Sequence, residues 1–178
     1  MATAPTPFDS DAPLGARRAL IRRNPDDAQE TEMVDAVWGS NPRFGDGVSY
    51  RFVRSEANTF PSRRCLIAAS EFHMTRDDRR YRVRLDSGNF FYLAAVWDPA
   101  LDEWPLAYRI ITVAANPEVA RYQDRHGAII QRRQVMDWLD GAVPESDLLV
   151  TPPARTFVID EIDARGRAKR PCQQSLAL

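Results

Sequence analysis

The chain holds two histidines, His73 and His126, and two cysteines, Cys65 and Cys172. A histidine can carry protons near neutral pH, and a thiolate can attack a carbonyl carbon. Neither cysteine has metal-ligand spacing to a histidine, and two cysteines build no disulfide framework. Cys65 lies mid-run among apolar neighbours and reads as a buried, inert thiol. The acid pairs Asp77-Asp78 and Glu161/Asp163 could share general acid/base work, but acids in such settings are more often turn and surface groups. There is no phosphate-binding glycine loop, GxSxG elbow, HExxH or CxxC. A lone histidine is more often a hydrogen-bonded or surface side chain than a catalyst. Residue types alone name no reaction, and no cofactor or metal is expected.

Arginine is the more telling type. Of 24 basic residues, 23 are Arg and only Lys169 is Lys. Residues 51–84 carry nine Arg against four acids, whereas residues 1–50 carry five against eight. The planar guanidinium fork suits phosphate oxygens and stacks on bases, so this band could meet nucleic acid. The plainer reading is a solvated strand face. A net charge of −1 also falls short of a protein that coats DNA without selection.

These residues need a scaffold. With 178 residues, 44% hydrophobic and 28% charged, the chain has the size and composition of one globular domain. No apolar run approaches a membrane span, and the N-terminus lacks the basic and apolar regions of a secretory signal. A soluble cytoplasmic protein, monomeric by default, is the expectation. Pro-rich residues 1–14 read as a flexible tail, 15–164 as the domain and 165–178 as a second tail.

Strands dominate the domain. Ala19–Arg23, Met33–Trp38, Cys65–Phe72, Ala107–Ala115 and Thr156–Ile162 are candidate strands. Tyr81–Leu85 alternates strictly, and Asp86–Asn89 then supplies turn residues before the apolar run Phe90–Val96, which predicts a hairpin. Helix is predicted over Arg133–Leu139 with Gly141 as its stop, and in short pieces at Pro117–Tyr122 and Pro144–Leu149. The fold class is α+β with a mostly antiparallel, barrel-like sheet and a few short helices.

Four segments in order resemble a known family. They are Trp38-Gly39-Ser40-Asn41-Pro42, Val53-Arg54-Ser55-Glu56, Arg63-Arg64-Cys65-Leu66-Ile67-Ala68-Ala69, and Ala115-Asn116 followed by Asp124-Arg125 and Trp138-Leu139-Asp140. The SRAP family, of SOS response-associated peptidases or abasic-site processing proteins, shows W-G-x-x-P, N-A-R-S-E, R-R-C-L-I-P-A-x-x-F-Y-E-W, T-x-x-A-N, H-x-R-M-P and a W-L helix. The resemblance runs from about Leu14 to Ile162. It implies a partner, single-stranded DNA with an abasic site, and a nucleophile, a cysteine at position 2 freed by removal of Met. Its amine would form a Schiff base with the sugar aldehyde and its thiol would close a thiazolidine. The same cysteine would cleave off a short leader. An Asn and an Arg would hold the sugar-phosphate, a Glu and a His would move protons, and a further Arg would bind phosphate.

The chain departs from that pattern at nearly every reacting position. Ala2 stands at position 2, and the family's opening segment has no counterpart, because Leu14–Arg23 already matches the strand that follows it. The Asn position falls on Arg51 or Phe52. Met74 replaces the Glu and Gln123 the His, while Arg54, Arg125 and Thr112 match family residues. Residue types that hold phosphate are kept and those that make bonds are replaced.

Three readings follow. One is a catalytically degenerate domain that still binds single-stranded DNA, with Arg54 and Arg125 on phosphates, Arg51, Arg63 and Arg64 enlarging a basic face, and Trp38 near the strand. Structural ion pairs, Arg54 with Glu56 or Arg125 with Asp124, compete with that role. A second is an active abasic-site enzyme whose cysteine lies upstream of Met1, with His73 or His126 moving protons. The third is an interaction module that has left DNA, with Val135, Met136 and Leu139 as a partner stripe.

Overall fold

The computed structural model describes residues 4–169. Its strands are β1 (Phe8–Asp9), β2 (Arg17–Arg23), β3 (Thr31–Trp38), β4 (Phe52–Arg54), β5 (Arg64–Ala69), β6 (Phe72–Arg76), β7 (Arg79–Leu85), β8 (Phe91–Asp98), β9 (Ala107–Ala114), β10 (Arg125–Gly127), β11 (Ile129–Ile130) and β12 (Phe157–Ile162). Helix is confined to α1 (Val135–Asp140), α2 (Glu145–Leu148) and three single turns of 3-10 helix.

Two sheets divide the strands. In the larger, β9 pairs with both β3 and β8, so the pairings run β9-β3-β2-β5-β8 and return to β9. The smaller sheet has the order β1-β6-β7-β12. The central strands of the ring bury both faces. On β8, Phe91, Leu93 and Ala95 face one core while Ala94 and Val96 face another. On β9, Tyr108 and Ile110 alternate with Ile111 and Val113 in the same way. Strands covered on both sides read as unbroken apolar runs, and that is why they stand out in the sequence. The first core is closed by Phe72, Met74, Val83 and Phe157 of the smaller sheet. The second is closed by Trp138, Leu139 and Leu148 of the helices.

Two sequence expectations need correction. Tyr81–Leu85 and Phe90–Val96 do not form a hairpin: β7 pairs with β6 and β12, while β8 pairs with β5, β9 and β11. β7 has one charged face, Arg80, Arg82 and Arg84, and suits an outer sheet; β8 is apolar on both faces and belongs inside. The hairpin sits instead at Asp77-Asp78, whose φ values of 50° and 59° are both left-handed, as a two-residue loop of this hand requires. The second correction concerns Cys65–Phe72, which breaks at Ser70-Glu71, so β5 stays in the ring and β6 enters the smaller sheet.

The helix near Arg133–Leu139 forms as α1 after a 3-10 turn, and Gly141 stops it at φ 63°. It is no partner stripe. Trp138 and Leu139 are buried and the Trp138 indole N–H donates to the Cys65 carbonyl (2.9 Å), while Met136 alone points outward. Burial raises the Cys65 thiol well above its ordinary pKa, so it stays protonated. Among the described residues no helix is long and apolar enough to cross a membrane.

Residues 1–14, read above as a tail, include a docked element. β1 pairs in parallel with β6, Phe8 against Phe72 and Asp9 against His73, and Phe8 is buried in the first core. Arg18 secures the approach by donating to the Thr6, Pro7 and Ala68 carbonyls.

Candidate functional site

A cavity of about 360 Å³ opens between the ring and the smaller sheet, within the usual size range of small-ligand sites. Its walls come from distant parts of the chain. β4 supplies Phe52 and Arg54, which point the same way because side chains alternate along a strand. β9 supplies Ile110 and Thr112, in register with Phe52 and Arg54. β10 supplies Arg125, and Gly127 lies opposite Thr112. A Cβ on Gly127 would stand 2.8 Å from Leu93 Cδ2 and 3.1 Å from Ile110 Cγ2, so a larger residue here would have to displace those two side chains. Phe8, Ser10 and Asp11 close the cavity from the N-terminal side.

The two arginines carried over from the family pattern meet here, yet they differ. Arg125 is engaged: its Nη2 donates to Glu56 Oε2 (2.7 Å) and to the Thr112 carbonyl (2.7 Å), and its Nε donates to Thr112 Oγ1 (2.9 Å). The hydrogen bond from Arg125 holds the Glu56 carboxyl below the usual range, with the Arg54 charge adding to the effect. The pair is thus Arg125–Glu56, neither of the two pairs expected from sequence proximity. Arg54 is exposed and lines the cavity, and its guanidinium has no hydrogen-bond or ion-pair partner among the described residues.

The proton-handling candidates fare differently. Met74 is packed in the first core and does not line the cavity. Gln123 does line it, and its side-chain amide has no partner among the described residues. His73 lies on the opposite face of β6 from Phe72, with Nε2 2.6 Å from Glu71 Oε1 and Nδ1 3.2 Å from the Arg80 guanidinium. It belongs to an ionic row on the outer face of the smaller sheet, not to the cavity. His126 lines the cavity but is saturated: Nδ1 is 2.8 Å from the Gly127 carbonyl and Nε2 accepts the Asn116 N–H. Its ring stacks on Phe72 at 5.9 Å and 25°. Burial lowers its pKa and keeps it neutral, so it is a satisfied core histidine.

The rest of the expected basic face does not assemble. Trp38 is buried, its indole N–H donating to the Arg51 carbonyl (3.1 Å) and its ring edge-on to Phe8 and Phe52. It supports two lining residues without reaching the cavity itself. Arg51 lies over the Trp38 ring, 5.6 Å from its centroid. Arg63 lies over Phe44 and Trp97, and Arg64 pairs with Glu145 and donates to the Phe60 and Trp138 carbonyls. On the smaller sheet, Arg80, Arg82 and Arg84 pair with acids. Ala2, Cys172 and the tail beyond Lys169 lie outside the described residues.

Sequence reasoning missed Phe8, Ser10, Asp11 and Phe72 as lining residues and took Phe52 only as a position where an Asn had been lost. The available signal was Phe8 itself, the one aromatic side chain in the proline-rich residues 1–14.

Among solved structures, the fold is similar to that of a protein from Bordetella bronchiseptica, with a TM-score of 0.68 and 22% identity over 87% of this chain and 90% of that one. It is also similar to a protein from Bacteroides thetaiotaomicron, with a TM-score of 0.65 and 18% identity over 84% of this chain and 75% of that one. None of the curated proteins matches the chain significantly. The family model described as SOS response associated peptidase (SRAP) matches residues 12–165, and so the chain belongs to the SRAP family.

Proposed function

We propose that this SRAP protein binds single-stranded DNA at the cavity, abasic strands included, without forming a bond to it. Its setting is the response to DNA damage, which family membership supports, and a cytoplasmic location belongs to the same proposal. The observation that carries the reading is the contrast inside the cavity. Arg54 is an exposed cation with no partner among the described residues, whereas Met74 stands where the family's Glu would be and His126 is neutral and saturated. A phosphate oxygen would give the Arg54 fork the partner that it lacks. Arg125 shapes the wall through Thr112 and Glu56, and it reaches phosphate only when Glu56 gives way.

Binding of a fluorescent single strand, titrated at several salt concentrations, tests this. The expected log–log salt dependence is shallow, about −0.7 for each phosphate held. Arg54→Ala should weaken binding about three- to tenfold at low salt and flatten that slope by roughly one phosphate. Unchanged affinity in Arg54→Ala would remove the proposed phosphate site.

A further inference from the structure

We infer that the cavity receives an intact nucleobase of the bound strand rather than a bare sugar. This rests on the strand-binding reading and specifies what enters. Among the described lining residues there is no lysine or cysteine. The walls are flat and aromatic instead. Phe8 and Phe72 are buried at the floor, and Phe52, 41% exposed, stands at the mouth. A base offers a π-face to such rings; a deoxyribose offers none.

The polar groups fit a base edge as well. The Gln123 amide, the Ser10 hydroxyl and the Asp11 carboxylate have no side-chain partners among the described residues. Together they present donors and acceptors, as the mixed edge of a base requires. Asp11 would repel a phosphate but accepts from a base N–H. The phosphate has its own place: Arg54 lies two residues beyond Phe52 on the same face of β4, roughly 7 Å along the strand. A base between the rings and its phosphate on Arg54 therefore use neighbouring groups of one strand face.

The test compares two short DNA strands by fluorescence anisotropy with the full chain. One is built wholly of tetrahydrofuran abasic units, and the other is identical except for a single central intact nucleotide. The intact base should tighten binding about tenfold, the effect of stacking on one aromatic wall. Phe52→Ala should abolish the difference between the two strands, and Gln123→Ala, which cannot hydrogen-bond the base, should reduce it. Equal affinities, or a tighter abasic strand, would overturn the inference while leaving strand binding at Arg54 intact. If neither these strands nor an all-intact strand binds, the proposed function falls and the inference with it. A free nucleoside monophosphate that competes better than the strand would also overturn the assignment to a strand.

Discussion

Arg54 and Arg125 carry the same charge and differ in what already holds them. Arg125 spends its donors on Glu56 and Thr112, so its fork is oriented but neutralised. Glu56→Gln should therefore release it and strengthen single-strand binding about two- to fivefold, the size of an exposed ion pair. A weaker or unchanged affinity in that variant would show that Arg125 serves the wall alone. His126 makes a separate prediction. Its folded pKa lies below the ordinary value of about 6.5, so below that pH the unfolded chain takes up a proton that the folded one refuses. Stability should thus be constant above about pH 7 and fall as the pH drops through about 6.5. His126→Phe, which keeps the stack on Phe72, should lower the melting temperature yet flatten its pH dependence between those values. An equally steep dependence in the variant would assign the titration elsewhere.

At the scale of elements, the hairpin between β6 and β7 and the docking of β1 decide the site's geometry. Asp77 and Asp78 both take left-handed φ, a conformation that aspartate tolerates and glycine accepts without strain. Asp78→Gly should stabilise the fold by about 0.5 kcal/mol, read as a small rise in denaturation midpoint with an unchanged slope. Phe8 does the larger work: it packs 5.1 Å from Trp38, edge to face, and closes the cavity floor. Phe8→Ala should cost about 3 kcal/mol or more on chemical denaturation. A loss under about 0.5 kcal/mol would mean that β1 is not docked. The strands most legible in the sequence were those buried on both faces, β5, β8 and β9, because their apolar runs are continuous. β4, three residues long, and β1, two, were not legible. Such short elements have no periodicity of their own and exist because β9 and β6 pair with them from far along the chain.

Across the whole molecule, the family was legible because it rests on the order of motifs, and motif order survives even where single residues change. The content of the site was legible only in part. Arg54, Thr112, Gln123 and Arg125 do converge on one cavity, as their places in the motifs imply. Trp38, Arg51 and His73 do not, since a side chain's face depends on strand parity and partner strands, neither of which a motif records. The charge excess over residues 51–84 was likewise real but dispersed over two sheets, with most of it neutralised locally. Of the two arginines that line the aromatic cavity, Arg54 has no hydrogen-bond or ion-pair partner among the described residues, an arrangement for holding rather than for bonding. The most direct test is incubation with a single strand carrying one true abasic site, followed by a denaturing gel with and without borohydride and a native gel at rising salt. The predicted result is no adduct in the denaturing lanes and a native shift that fades with salt. A stable adduct formed without reductant would contradict it.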